Sequence, residues 1–253
     1  MTDPKLLSGI RRRLAPIAGE DAPAEARFLC DYLEKHPDRD MEALLDRRLG
    51  GEPLQYVLGE WEFYGLPFFT DRRALIPRPD TELLAETGLR LLKGGERVLD
   101  LCCGSGCIGI ALKKHCHITL VASDISPEAL SLTRENAARN GVAVETVQSD
   151  LFDRIEGMFD LIVSNPPYLT AEEMTGMDDS LAFEPRLALD GGIDGLDLYR
   201  RIAADYRKHL VPGGTLLLEI GYLQAEEVTA LFDRAECRKD YGGRDRMVIV
   251  RNE

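Results

Sequence analysis

The chain has 253 residues, 44% of them apolar, and a formal net charge of −13. That length holds one large domain or one medium and one small domain, and the composition is that of an ordinary globular protein. The acidic balance argues against strong direct nucleic-acid binding, where Lys/Arg contacts to phosphates supply most of the affinity. No apolar run approaches the ~18 residues of a membrane span, and Met1-Thr2-Asp3-Pro4-Lys5 has no apolar leader core. No membrane association and a cytoplasmic location are therefore expected. Arg11-Arg12-Arg13, Arg47-Arg48 and Arg72-Arg73 are short basic runs in the N-terminal third and read as solvated faces.

The first stretch reads as helices. Leu6, Leu7, Ile10, Leu14 and Ile17 share one helical face; Pro23 opens a second segment carrying Phe28, Leu29, Tyr32 and Leu33. Asp40 is a suitable N-cap for a third, which Gly50-Gly51 ends. The expected units are a helical recognition domain over residues 1–58, a hairpin linker over 59–78 and an α/β domain over 79–253. In the linker, Trp61-Glu62-Phe63-Tyr64 and Leu66-Pro67-Phe68-Phe69 flank Gly65 as an aromatic hairpin. A helix follows, capped by Asp80 or Thr81 and stopped by Gly94-Gly95.

From Arg97 strands and helices alternate. Strands are predicted over Val98–Leu101, Ile118–Ser123, Val142–Gln148, Phe159–Ser164 and Thr215–Ile220. Helices are predicted over Ser105–Lys114, from Ser126-Pro127 to Asn140-Gly141, over Leu196–Leu210 and over Tyr222–Arg234. Pro212-Gly213-Gly214 would end the third of these, and two edge strands around Gly242-Gly243 would close the chain. Such a succession means a mostly parallel sheet covered on both faces.

Leu99-Asp100-Leu101-Cys102-Cys103-Gly104-Ser105-Gly106 joins the first of these strands to its helix. Glycines let backbone turn sharply and approach a ligand, and Gly104-x-Gly106-x-x-Gly109 matches a dinucleotide fingerprint read literally. S-adenosylmethionine competes with a dinucleotide for this loop, and three features favour it. Asp100 would meet a cationic ammonium but repel a pyrophosphate. Ser149-Asp150 follows the third strand, where it could bond an adenine amino group; Asp124, ending the second, could hold a ribose under the dinucleotide reading as well. Asn165-Pro166-Pro167-Tyr168 ends the fourth and has no role in hydride transfer.

Two prolines remove two N–H donors and fix φ near −65°. The loop at Asn165 thus offers an amide side chain, free carbonyls and a flat aromatic, at the strand ends where open α/β sheets bind ligands. It can grip a planar –NH2. Cys30, Cys102, Cys103, Cys107, Cys116 and Cys237 include no C-x2-C pair. Even with His115 and His117 near four of them, they read as small buried residues in a reducing compartment, and no metal is expected.

These residues resemble the protein-(glutamine-N5) methyltransferases that modify peptide-chain release factors. The likeness covers nearly the whole chain: Gly51-Glu52-Pro53-Leu54-Gln55-Tyr56, Ile76-Pro77-Arg78-Pro79-Asp80-Thr81-Glu82, Asn165–Tyr168, Phe183-Glu184-Pro185-Arg186 and Tyr241-Gly242-Gly243-Arg244-Asp245-Arg246. The resemblance implies a Rossmann-like seven-stranded class I methyltransferase domain behind a small all-α bundle. It further implies S-adenosylmethionine bound by Asp100, Cys102, Cys103, Gly104, Ser105, Gly106, Asp124, Asp150, Leu151 and Asn165. Asn165 and the Pro166 carbonyl would each accept one N–H of the substrate glutamine in a Gly-Gly-Gln loop, between walls of Pro167 and Tyr168. A monomer is expected. The chain departs from the family at Cys102-Cys103, where Gly-Thr is usual; a glycine there would tolerate φ > 0 more easily than Cys. Leu151 or Phe152 would pack on the adenine. The alternatives are an amino-methyltransferase acting on an RNA or DNA base, a dinucleotide oxidoreductase, and an adaptor that binds translation factors without catalysis.

Overall fold

The computed structural model describes residues 4–177 and 181–252. Met1-Thr2-Asp3, read above for a leader, and Glu253 at the end of the 79–253 unit lie outside the described residues.

Four helices come first: α1 (Pro4–Ala18), α2 (Ala22–Lys35), α3 (Met41–Leu49) and α4 (Leu54–Leu58). Ile10, Leu14, Leu29, Leu45 and Val57 pack as their shared core. Leu6 and Ile17, predicted on the buried stripe of α1, stay exposed, and Phe28 instead lies 5.0 Å from the Trp61 ring. Asp40 caps α3, its carboxylate accepting the Glu42 N–H at 2.9 Å.

The hairpin pairs β1 (Glu60–Phe63) with β2 (Leu66–Phe69). Its two-residue turn is Tyr64-Gly65, both with positive φ (52° and 71°), the sense that matches strand twist.

Seven further strands are β3 (Arg97–Leu101), β4 (Thr119–Asp124), β5 (Glu145–Gln148), β6 (Phe159–Ser164), β7 (Leu210–Glu219), β8 (Ala235–Lys239) and β9 (Asp245–Arg251). They stand in the order β5-β4-β3-β6-β7-β9-β8, parallel from β5 to β7 and antiparallel at β9 and β8. Strand order reverses between β3 and β6, the place where such sheets open a crevice. One face is covered by α5 (Glu82–Leu91), α6 (Cys107–His115) and α7 (Pro127–Asn140), burying Leu84, Ile110 and Ala137 against Val98 and Leu217. After the short α8 (Ala171–Thr175), α9 (Asp197–Asp205) and α10 (Ala225–Ala230) cover the other, where Tyr199 and Val228 meet Leu99 and Phe159. The hairpin is fastened to α7 by amides: Asn136 exchanges hydrogen bonds with the Phe69 backbone, and Asn140 donates to the Pro67 carbonyl at 2.9 Å.

Several predicted elements end elsewhere, each where a hydrogen bond holds the chain. The third strand starts at Glu145 rather than Val142, because the Val142 N–H closes the end of α7 on the Ala137 carbonyl. The helix expected over Leu196–Leu210 is α9 plus a 3-10 turn at Tyr206–Lys208. Pro212-Gly213-Gly214 does not precede the next strand but lies within β7, held there by Gly213 and Gly214 bonding to Asn252. Of Tyr222–Arg234 only Ala225–Ala230 is α-helical; Gln224 turns back to accept the Gly221 N–H and to donate to the Tyr168 carbonyl. Of the two strands expected at the edge, β8 alone lies there. β9 is interior, with Met247, Val248, Ile249 and Val250 all buried.

Candidate active site

A cavity of about 290 Å³ opens at the carboxyl ends of β3, β4, β5 and β6. Its wall includes Cys102, Cys103, Gly104, Ser105, Asp124, Asp150, Leu151, Asn165 and Pro167. The sequence thus named nine of its residues across four separate loops. Asp100, Gly106, Pro166 and Tyr168 stand behind that wall.

The first loop is built around glycines. Gly106 takes φ 77° at the start of α6, and a Cβ there would come within 2.7 Å of Thr133. Gly109 lets α6 press on β3: its N–H donates to the Asp100 carboxylate at 2.8 Å, where a Cβ would sit as close. Asp100 therefore faces α6, not the cavity. Burial pushes it up to about 8, against the pull of the Gly109 hydrogen bond, and its other oxygen has no partner among the described residues. Cys102 adopts φ 58°, the left-handed conformation in which a glycine would be unstrained.

Asp124 binds backbone at both oxygens, accepting from Gly104 at 2.9 Å and Ser126 at 2.9 Å. One carboxylate fixes the tip of the glycine loop and the start of α7, which Ser126 caps through the Ala129 N–H. Burial raises its pKa, and these N–H donors oppose the rise. Asp150 is paired with Arg201 at 2.9 Å. Leu151, with φ 49°, lines the cavity, whereas Phe152 is stacked on His209 with ring centroids 4.7 Å apart. Of the two, only Leu151 lines the cavity.

Asn165 is half-buried, and its amide donates to the Thr81 hydroxyl at 3.4 Å. Pro166 is buried, and Tyr168 packs into the core beneath, its hydroxyl pushed up to about 12 by burial. Cys103 and Cys107 are buried, with thiols raised by burial, and no group of three metal-ligating side chains occurs among the described residues.

Sequence reasoning assigned no role to Glu184 and Glu219. Glu184 is buried, accepts the Ile76 N–H at 2.9 Å and pairs with Arg78, so it anchors the segment forming one cavity wall. Glu219 ends β7 beside Asn165 and is 2% exposed. A lone carboxylate closing Leu216-Leu217-Leu218, at the strand end matching Asp124, was its available signal.

A seven-stranded sheet with this strand order, and a cavity walled by a glycine loop, a strand-end acid and an Asn-Pro-Pro-Tyr loop, define a class I methyltransferase. Residues 79–181 match the family described as Methyltransferase small domain. The release factor glutamine methyltransferase of Agrobacterium fabrum is 40% identical over 276 residues, covering 97% of this chain and 96% of its own. That of Geobacter sulfurreducens is 44% identical over 213 residues, 81% and 75% of the two chains. The chain belongs to the release factor glutamine methyltransferase family. Solved structures share the fold: a methyltransferase from Pyrococcus furiosus superposes with a TM-score of 0.57 at 19% identity, over 75% of this chain and 90% of that one. The E. cuniculi Mtq2-Trm112 complex, described as responsible for methylating the termination factor eRF1, gives 0.52 at 23% identity, over 72% and 99%.

Proposed function

We propose that this protein transfers a methyl group from S-adenosylmethionine to the side-chain nitrogen N5 of the glutamine in the Gly-Gly-Gln loop of peptide-chain release factors, a step in translation termination. The observation that carries this reading is that Asn165 and Pro167 share one cavity wall with Gly104, Asp124 and Leu151. A planar amide acceptor loop and a cofactor loop face one space.

The residues suit the cofactor. Leu151 offers an apolar surface for an adenine, and Asp124 and Asp150 offer acceptors for ribose hydroxyls and an exocyclic amine. Residues Cys102, Cys103, Gly104, Ser105 and Gly106 would cradle the amino-acid portion, with Asp100 steadying that loop through Gly109. When bound, S-adenosylmethionine supplies an electrophilic methyl on a sulfonium. An amide nitrogen is a poor nucleophile because its lone pair is delocalised, so this chain must orient it. Asn165 and the Pro166 carbonyl each accept one N–H, fixing the nitrogen and favouring positive charge as it builds there, while Pro167 and Tyr168 bound the slot. Alignment of this kind supplies up to ~7–11 kcal/mol. No general base is needed before transfer, since the product sheds its proton readily.

Residues 1–58 would hold the body of the factor, 59–78 join the two units, and 79–253 carry out transfer. The protein acts as a monomer in the cytoplasm, where termination occurs; no helix among the described residues is long and apolar enough to cross a membrane. Mass spectrometry of a release factor incubated with the protein and S-adenosylmethionine tests this. A gain of one CH2 on the Gly-Gly-Gln glutamine is expected; no gain, with cofactor bound by calorimetry, overturns the substrate assignment.

A further inference from the structure

An acceptor-side Asn works only if its amide is the right way round. The oxygen must face the incoming –NH2; if the amide flips, two –NH2 groups confront each other. Asn165 cannot set this alone, because its amide can present either end. The side chains behind it decide.

Three conserve a direction of donation. Asn165 Nδ2 donates to the Thr81 hydroxyl at 3.4 Å. Glu219 stands beside Asn165 at the neighbouring strand end and is 2% exposed; Thr81 and Asn165 both favour its charged form, and its Oε2 has no partner among the described residues. A carboxylate only accepts. Thr81 must then donate its one hydroxyl hydrogen to Glu219 and accept from Asn165, and Asn165 must turn its –NH2 inward. Its oxygen is left facing the cavity that Asn165 lines.

We propose that Glu219 is a positioning residue for the methyl transfer: through Thr81 it locks the Asn165 amide with its oxygen toward the substrate nitrogen. This rests on the glutamine reading above. It also gives a task to two motifs otherwise unused, since Thr81 belongs to Arg78-Pro79-Asp80-Thr81-Glu82 and Arg246 to Gly242-Gly243-Arg244-Asp245-Arg246.

Charges around Glu219 are arranged to let it ionise near neutrality. Arg246 on β9 attracts it and is itself held by Asp80 at 3.2 Å and Asp240 at 3.3 Å. Asp80, before α5, opposes ionisation. Tyr168, Tyr199 of α9 and Cys107 of α6 also face it, and the Tyr199 hydroxyl donates to the Glu219 backbone carbonyl at 2.8 Å. Burial pushes the carboxyl up to about 7, while Thr81, Arg246 and Asn165 pull it down. Protonated, Glu219 can donate as well as accept, and the direction of the chain is lost. Transfer should therefore weaken as pH falls through neutrality.

The test compares Glu219→Gln, Thr81→Ser and Thr81→Val with the parent, reading kcat and KM for the release factor across pH and cofactor Kd by calorimetry. Glu219→Gln, which donates and accepts, is expected to lose roughly tenfold to hundredfold in kcat and the acidic limb of the pH profile, with cofactor Kd unchanged. Thr81→Ser should keep activity and Thr81→Val should lose it. An unchanged limb in Glu219→Gln, or Thr81→Ser failing like Thr81→Val, overturns the proposal. The side-chain NH2 resonance of Asn165 gives a readout that needs no substrate: it should titrate near neutrality in the parent and not in Glu219→Gln, and a parent resonance flat across pH overturns the proposal. Absence of transfer by the parent itself instead fails the glutamine reading and leaves this resonance to decide the role of Glu219.

Discussion

The loop after β3 and the loop after β6 leave paired neighbouring strands and wall the same cavity, yet their chemistry is inverted. The first is flexible by composition and is held from outside: Gly104 and Gly106 take positive φ, and the carboxylates of Asp124 and Asp100 pin the N–H groups of Gly104 and Gly109. The second is stiff by composition, since Pro166 and Pro167 bring their own φ and no N–H. One loop is a backbone cradle whose N–H groups are held by acids; the other is a set of acceptors. The proposed cofactor would need the shaped cradle and an –NH2 substrate the acceptors, and each loop should fail in its own way.

The largest effect is expected at Asn165. Under the proposed mechanism Asn165→Ala removes an acceptor needed only while the amide nitrogen is methylated, so kcat should fall ~10²-fold or more while cofactor Kd stays put. A variant with parental turnover breaks the comparison, because the acceptor loop would then be no more than a strand cap.

Asp124→Ala should show the opposite pattern. Hydrogen bonds to a charged group are worth roughly 1.5–3 kcal/mol, so losing the anchor of Gly104 and Ser126 should weaken cofactor Kd on the order of 10- to 100-fold. Calorimetry reads Kd, and kcat at saturating cofactor should be largely kept. Equal loss in both would mean that the two loops are coupled rather than divided.

The acids behind the loops also set how stability depends on pH. Asp100 is shifted from 3.8 to about 8 and Glu219 from 4.5 to about 7, both by burial. Between each pair of values the folded protein keeps a proton that the unfolded chain has released. Stability from these groups is complete below the lower value and falls as pH rises to the upper one. Asp100→Asn removes one titration and can still accept the Gly109 N–H. Its Tm relative to the parent should rise by a few degrees between pH 4 and 8; a constant gap would mean Asp100 is ionised throughout.

Legibility in the sequence followed the range of the interactions. Phe159–Ser164 and the capped helix from Pro127 to Asn140 were readable because periodicity and capping act within a few residues. The row of groups at strand ends was readable because strand order dictates where the ends meet. The continuation of β7 through Pro212-Gly213-Gly214 was not, since it depends on Asn252, some forty residues downstream. Neither was the clamp of Glu184 on Ile76 and Arg78, which spans 108 and 106 residues. Met247-Val248-Ile249-Val250, unbroken by polar residues, did carry the sign of an interior strand.

The smallest effect is expected at the strained residue of the first loop. Cys102 sits at φ 58°, where a glycine would be unstrained, and its side chain packs against the core cluster of Leu99 and Tyr199. A left-handed conformation costs a side-chain-bearing residue about 1–2 kcal/mol. Cys102→Gly relieves that strain but frees the unfolded chain by about 0.5–1 kcal/mol and removes the packing of the thiol, which burial keeps protonated. These terms oppose one another, so stability should move by less than about 1 kcal/mol, and cofactor Kd should hold or tighten as the loop relaxes. A tenfold weaker Kd would show that the thiol itself contacts the cofactor, making the first loop more than a backbone cradle.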